Sequence, residues 1–362
     1  CYGDPGYTLH RGGQPRPPPR AKFNSSDELV VECDNLTQAL KASGAVAERD
    51  EGTAGRINGL LERIPPPQRE RWLKQADVAA ALGFAWGEAR FWHAAVEWLE
   101  KAVRSESRDC PLRAVEQLAN FRARVAAEEW QTRRAKGLGA TDTDLERSDA
   151  LIAKAITDLE LLCARAPTVE RLNLLGAALK RKALVASGKR IRQEGLSACA
   201  GAYRRAFELG GSHDAYSFTN WATATLLMLQ LEPKRPGDAV KAIGPEAAHL
   251  RAMLQPQETR DSDFWASASL ADLDLVTLLS RELLPHPAKH PRNVPGGTAR
   301  ARVPAEENLV ERIIEAYRRA IARGASPRER GSVIENLDFM ICLLDDGPPA
   351  LAETLLRIRD TL

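Results

Sequence analysis

Large and small apolar residues alternate at the spacing of helical turns between residues 82 and 102. Residues three or four apart share one face of a helix. A glycine or alanine on that face allows a second helix to approach closely and accepts its side chains. The segment therefore predicts two antiparallel helices in close contact. Its members are Leu82, Gly83, Trp86, Trp92, Ala95, Leu99 and Ala102.

This hairpin resembles a tetratricopeptide repeat, and partial copies of it follow along the chain. The residues Tyr203-Arg204-Arg205-Ala206 are echoed by Tyr317-Arg318-Arg319-Ala320, and each echo precedes a break of small residues. Leu175 and Gly176 match a first helix of the repeat. The resemblance implies an all-α fold, an irregular solenoid of stacked antiparallel helix pairs, and a scaffold that binds other proteins.

Glycine and proline breaks divide the chain into fourteen predicted helices. They cover 27–42, 50–64, 67–86, 89–104, 111–134, 143–165, 168–186, 190–209, 213–231, 244–255, 267–283, 304–323, 327–345 and 348–361. Residues 1–24 differ from the rest and contain a proline-rich linker. We therefore expect a non-helical segment over 1–24 and a helical array over 25–362. A sub-boundary is expected near 232–243, and a long exposed loop over 285–303.

Charge and hydropathy exclude several classes of partner. The chain has 51 basic and 49 acidic residues, and the two signs are interspersed. This balance gives no general attraction to nucleic acid. No apolar run reaches the roughly 18–20 residues that span a bilayer. We expect a cytoplasmic protein with a protein or peptide partner. Its oligomeric state is not predicted by the sequence.

Two further resemblances extend this interpretation. Roughly residues 165–345 are similar to the tetratricopeptide-like region of bacterial multidomain proteins and to the TRAF-binding region of MAP kinase kinase kinases. Tyr216 and Asn220 match a Tyr-x-x-x-Asn segment of that group. Residues 1–9 resemble the end of a bacterial CHAT domain, a caspase-like cysteine protease module. This resemblance implies that the catalytic residues of that module lie upstream of Cys1.

The chain shows no motif that would predict a catalytic, cofactor or metal site of its own. A phosphate-binding GxxxxGK[ST] loop and a dinucleotide fingerprint are both missing. His286 and His290 are four residues apart, but prolines interrupt their segment and favour solvated loop histidines. The six cysteines are scattered without metal-ligand spacing. We interpret them as reduced thiols, several of them buried.

Two features favour a binding surface. One is a basic patch formed by Lys180, Arg181, Lys182, Lys189, Arg190 and Arg192. A solvated face is the ordinary explanation of such a patch, and an acidic protein partner is the functional one. The other feature is Trp98, which falls outside the core positions of its helix. It is a candidate for an exposed anchor that contacts a partner.

These observations predict a non-catalytic interaction and regulatory scaffold. The resemblance at residues 1–9 implies that it is the C-terminal regulatory region of a caspase-like protease. Two alternatives remain open at this stage. In the first, the intact multidomain protein carries cysteine peptidase activity. In the second, the chain is a lipid-anchored helical-repeat scaffold that starts at Cys1.

Overall fold

The computed structural model describes residues 8–9, 15–16, 21–42, 51–105, 109–137, 142–231, 237–260, 264–284, 304–344 and 348–362. Within these ranges the chain forms fifteen helices and one pair of two-residue strands. The strands β1 (Thr8–Leu9) and β2 (Pro15–Arg16) are antiparallel. The helices are α1 (Ser26–Ala42), α2 (Glu51–Glu62), α3 (Pro66–Leu73), α4 (Ala76–Glu88), α5 (Trp92–Arg104), α6 (Leu112–Ala135), α7 (Asp142–Arg165), α8 (Val169–Val185), α9 (Lys189–Leu209), α10 (Ala215–Leu231), α11 (Asp238–Arg260), α12 (Phe264–Leu283), α13 (Pro304–Ala322), α14 (Pro327–Leu343) and α15 (Pro349–Asp360).

From α4 onward the helices pack as consecutive pairs, and each pair packs on the next. The pairs are α4–α5, α6–α7, α8–α9, α10–α11, α12–α13 and α14–α15, and α1 packs against α4. Short connections between neighbouring helices make each of the first pairs antiparallel. The predicted all-α fold, an irregular solenoid of helix pairs, is confirmed.

Close approach within the pairs depends on glycines. A Cβ atom added to Gly83 would lie 2.7 Å from the Leu99 side chain, and one added to Gly176 would lie 2.7 Å from the Tyr203 ring. Such distances are shorter than van der Waals contact, so only glycine fits at these positions. Pairing of Leu-Gly with a large residue of the second helix thus occurs in both α4–α5 and α8–α9.

The repeat-signature residues lie in the hydrophobic core, with one exception. Tyr216 is 38% exposed at the start of α10. Buried members are Leu82, Gly83, Trp86, Trp92, Ala95, Leu99, Ala102, Leu175, Gly176, Tyr203, Ala206, Asn220, Tyr317 and Ala320. Two core clusters, one mainly before α6 and one after it, meet on that helix. Phe121 belongs to the first cluster and Ala123 to the second.

Three predicted helices are wrong in their extent. The segment 67–86 divides into α3 and α4, because Gln75 between them has an extended backbone with φ −73° and ψ 135°. The next helix begins at Trp92 rather than residue 89. Arg90 has a φ of 65° there, a value that no α-helix contains. The rest of the helix pattern agrees with the structure to within a few residues, apart from α11, which begins at Asp238.

Several predictions fall partly or wholly outside the described residues. They include the CHAT-like segment 1–9 apart from Thr8–Leu9, the loop 285–303, and His286 and His290 within it. Of the expected sub-boundary at 232–243, residues 238–243 are the first turns of α11. No described helix is long and apolar enough to span a membrane. The cysteines of the described ranges carry free thiols, buried at Cys33, Cys163 and Cys199.

Candidate functional site: a cavity closed by helix α14

The concave side of the solenoid contains a cavity of about 920 Å³. Side chains from the first helix of every pair line it, namely α4, α6, α8, α10, α12 and α14. The lining combines aromatic, cationic and acidic groups, such as Trp265, Lys180 and Asp272. Since α14 contacts both α8 and α1, the last pair of the array turns back across the open side of the cavity.

A single carboxylate of α14 holds three arginines together. Glu335 accepts hydrogen bonds from Arg124 Nη1 at 2.8 Å (Oε1) and 2.6 Å (Oε2). Arg90 Nη2 lies 3.4 Å from Glu335 Oε1, and Arg181 Nη2 lies 3.4 Å from Oε2. Arg90 lies in the α4–α5 connection, Arg124 in α6 and Arg181 in α8. We call these four residues, Arg90, Arg124, Arg181 and Glu335, the Glu335 cluster.

Two arginines of the Glu335 cluster are shielded from solvent, which strengthens their electrostatic interactions. The side chains of Arg124 and Arg181 are only 11% and 12% exposed. Burial alone would raise the pKa of Glu335, but the guanidinium groups of Arg124, Arg181 and Arg90 outweigh it and the pKa is lowered. Burial lowers the pKa of Arg124 to about 10, against the opposing effect of Glu335. Glu335 is therefore ionised at neutral pH.

Arg90 reaches the cluster from an unusual backbone conformation. Its φ of 65° is in the left-handed region, which costs a residue with a side chain roughly 1 kcal/mol. A glycine of α14 makes room for its guanidinium, because a Cβ added to Gly331 would lie 2.4 Å from Arg90 Nη1. Backbone strain in the α4–α5 connection and a missing side chain in α14 thus serve the same contact.

Three further residues of α14 contact the cavity wall. Arg328 Nη1 lies 3.0 Å from Oε2 of the buried Glu88. Lys180 Nζ donates to Asn336 Oδ1, and the same ammonium lies 4.7 Å from the centre of the Phe339 ring. Positions 328, 335 and 339 are separated by seven and four residues, so one stripe of α14 faces the cavity wall.

Lys180 also connects α14 to a polar network deeper in the solenoid. Its Nζ donates to Asn220 Oδ1 at 3.2 Å, and Asn220 Nδ2 donates to the Tyr216 carbonyl at 2.9 Å. Burial lowers the pKa of Lys180 to about 8. On the far wall, the Tyr317 hydroxyl of α13 donates to Asp272 Oδ1. Burial raises the pKa of Asp272 to about 6, against the opposing effects of Tyr317 and Lys180.

The raised pKa of Asp272 predicts a pH-dependent stability. The folded chain binds the proton more tightly than the unfolded chain, so the free energy of unfolding decreases as pH rises from about 4 to 6. An asparagine at position 272 would still accept the Tyr317 hydrogen bond but would not titrate. We therefore expect the free energy of unfolding of Asp272→Asn, measured relative to wild type, to increase by about 1–3 kcal/mol when the pH is raised from 4 to 7.

Urea denaturation at pH 4 and pH 7 measures this difference. Asp34→Asn, a change at an exposed position of α1, is the matched control, and its stability relative to wild type should change little between the two pH values. If Asp272→Asn and Asp34→Asn followed the same pH dependence, the assignment of a buried titrating carboxylate to Asp272 would be wrong.

The predicted basic patch does not form one surface. Lys180 and Arg181 point into the cavity, whereas Lys182, Lys189 and Arg190 are exposed elsewhere. Arg192 is partly buried, and its Nη2 donates to the Ala186 carbonyl at 3.4 Å. The patch separates because Lys182 lies two residues after Lys180 and therefore points about 200° away from it around the helix.

Trp98 is half-buried rather than exposed. It packs against the core cluster that precedes α6, and the Lys101 ammonium lies 4.1 Å from the centre of its ring. It lies on α5, the second helix of its pair, outside the lining of the cavity. A role for Trp98 in partner binding stays a prediction, and it would concern a different surface from the Glu335 cluster.

Sequence reasoning missed Glu335, Arg124 and Arg90. Each is a single charged residue in a helix or connection, and no local spacing distinguishes it from a solvated charge. Gly331, four residues before Glu335, is the nearest signal, because a glycine inside a predicted helix often marks a close contact. No group of three or more potential metal ligands occurs in the described part of the chain.

Comparison with known protein families agrees with this architecture. Residues 91–227 match the family model described as Tetratricopeptide Repeats-Sensor. The match covers α5 to most of α10, and so includes Arg124, Arg181 and the Tyr216–Asn220 segment. This region is therefore tetratricopeptide-like, a class of repeat that generally mediates protein interactions and is non-catalytic. No curated protein matches the chain.

Proposed function

We propose that the concave cavity binds a helix or peptide segment of a partner protein, and that the chain is a regulatory interaction scaffold. The observation that supports this most strongly is the Glu335 cluster, which combines three arginines on the wall of a cavity. In the described structure these guanidinium groups are paired with Glu335, so the same wall is suited to a carboxylate supplied by a partner. A groove lined by the first helices of a repeat array offers such groups along an extended path.

The resemblance of residues 1–9 to the end of a CHAT domain extends the proposal. In this scheme residues 1–24 are the end of a caspase-like module and its linker, and 25–362 form its C-terminal regulatory array. Binding of the partner would shift the array between two states and so restrain or release the protease. Catalysis would belong to the attached module and not to the array.

Selection of peptides from a random display library against the full chain tests the cavity as the binding site. Selected peptides are then titrated against the wild type, Arg181→Gln and Arg190→Gln by fluorescence anisotropy. Arg181 lines the cavity, whereas the Arg190 side chain is 85% exposed. We expect Arg181→Gln to weaken binding at least tenfold and Arg190→Gln to leave it unchanged.

Peptides that tolerate Arg181→Gln but not Arg190→Gln would place the binding surface outside the cavity. A selection that enriches no peptide would also contradict the proposal. Both variants remove one arginine, so a difference between them reports the position and not the net charge.

A further inference from the structure

We propose that α14 occupies the partner site as an internal ligand, and that the partner supplies an acidic amphipathic helix which reproduces the cavity-facing stripe of α14. This inference rests on the proposed function and specifies the chemistry of the partner. The residues of α14 that the partner would reproduce are Glu335, Asn336 and Phe339. In the described structure these residues contact Arg90, Arg124, Arg181 and Lys180 of three earlier pairs.

The polar contacts of α14 differ from those between successive pairs of the solenoid. Neighbouring pairs pack through apolar residues such as Phe121 against Trp92, with ring centroids 5.3 Å apart, and also through ion pairs between adjacent helices, such as Arg171 with Glu116. Helix α14 instead reaches across the cavity to residues far back in the chain, with Arg328 on Glu88 and Glu335 on Arg124. Ion pairs of this kind can be exchanged for equivalent ion pairs supplied by another chain.

The connection that precedes α14 contains a tight turn at a glycine. Gly324 has a φ of 98°, a conformation that side-chain-bearing residues rarely adopt. Ser326 then caps α14 through a reciprocal capping box with Glu329, so that α14 keeps its own start independently of the helix before it. Displacement of α14 from the cavity would require a change of backbone conformation at this turn.

The cluster defines what can replace α14. The largely buried Arg124 and Arg181 would lose the carboxylate of Glu335 if α14 moved away, and that state is costly. A replacement must therefore bring a carboxylate to the three arginines. An amide next to it and an aromatic ring four residues later would satisfy Lys180 as Asn336 and Phe339 do. A glutamate-containing amphipathic helix meets all three requirements.

The experiment uses a labelled synthetic peptide with the sequence of residues 326–344. It is titrated against the full-length wild type, Glu335→Gln and Glu315→Gln by fluorescence anisotropy. Glu315 is an exposed residue of α13, with a side chain 71% accessible, and its variant matches the charge change. We expect the peptide to bind Glu335→Gln at least tenfold more tightly than the other two chains. A peptide that itself carries Glu335→Gln should lose this binding.

Equal affinity for the three chains, or no binding to Glu335→Gln, would overturn the inference. A second variant, Arg328→Gln, weakens the α14 contact while leaving the three arginines intact, and it should also increase peptide affinity. Dimerisation of Glu335→Gln without peptide would also overturn it, because the occupant would then be a second copy of the chain. If display peptides bind through Arg181 while the α14 peptide fails, the proposed function stands and this inference alone is wrong.

Discussion

Replacement of Gly176 by alanine is expected to lower the free energy of unfolding by about 2–4 kcal/mol. The added Cβ would lie 2.7 Å from the ring of Tyr203, and that ring is buried with nowhere to move. Helices α8 and α9 would have to separate. Since these helices form the tightly packed centre of the array, the change should be transmitted to the cavity wall that carries Lys180 and Arg181.

Gly201→Ala is the matched control, and urea or thermal denaturation is the measurement. Gly201 lies in the middle of α9, is exposed, and has no neighbouring atom within 4 Å of the added Cβ. Alanine should stabilise the helix there by about 0.5–1 kcal/mol. Two glycine-to-alanine substitutions in adjacent helices are thus expected to change the free energy of unfolding in opposite directions. If both stabilised the chain, the close α8–α9 contact would not exist in solution.

Replacement of Glu335 by glutamine is expected to lower the free energy of unfolding by about 2–4 kcal/mol at pH 7. The neutral amide removes the negative charge that faces the largely buried guanidinium groups of Arg124 and Arg181. Because the pKa of Glu335 is lowered in the folded chain, its carboxylate stabilises the fold at pH values above the pKa of about 4.5 that it has in the unfolded chain. It is lost as pH falls through the lower folded pKa. The difference between wild type and Glu335→Gln should therefore shrink below pH 4.

The control for this prediction is again Glu315→Gln, measured by urea denaturation over the same pH range. Its exposed position predicts a change of less than about 0.5 kcal/mol. A Glu335→Gln chain as stable as Glu315→Gln at pH 7 would mean that the ion pairs of the Glu335 cluster contribute nothing to stability.

The fold was predictable because its determinants are local. Leu82-Gly83 and Leu175-Gly176 show where helices meet, and Tyr203 and Tyr317 repeat the same packing position. These signals depend on spacing within one or two helices. The break between α3 and α4 was missed because Gln75 belongs to no turn motif. Its extended conformation arises from how the two helices pack and not from its own preference.

The cavity was predictable only in part. Lys180 and Arg181 were identified as charged candidates, but their partners Asn336 and Glu335 lie in α14, about 155 residues later in the chain. A contact between such distant residues has no signature in spacing or composition. The same holds for Arg90, whose strained backbone became meaningful only when Gly331 was found against its guanidinium. The sequence analysis therefore identified two residues of the cavity wall, but it did not identify the helix that closes the cavity.

Hydrogen exchange of α14 in the full-length chain tests the central claim, that the Glu335 cluster holds α14 across the cavity. Backbone amides of α14 are compared in wild type, Glu335→Gln and Glu315→Gln, with α8 as the internal reference. We predict that exchange in α14 becomes at least tenfold faster in Glu335→Gln alone, while α8 stays protected. Unchanged protection of α14 in Glu335→Gln would contradict the account.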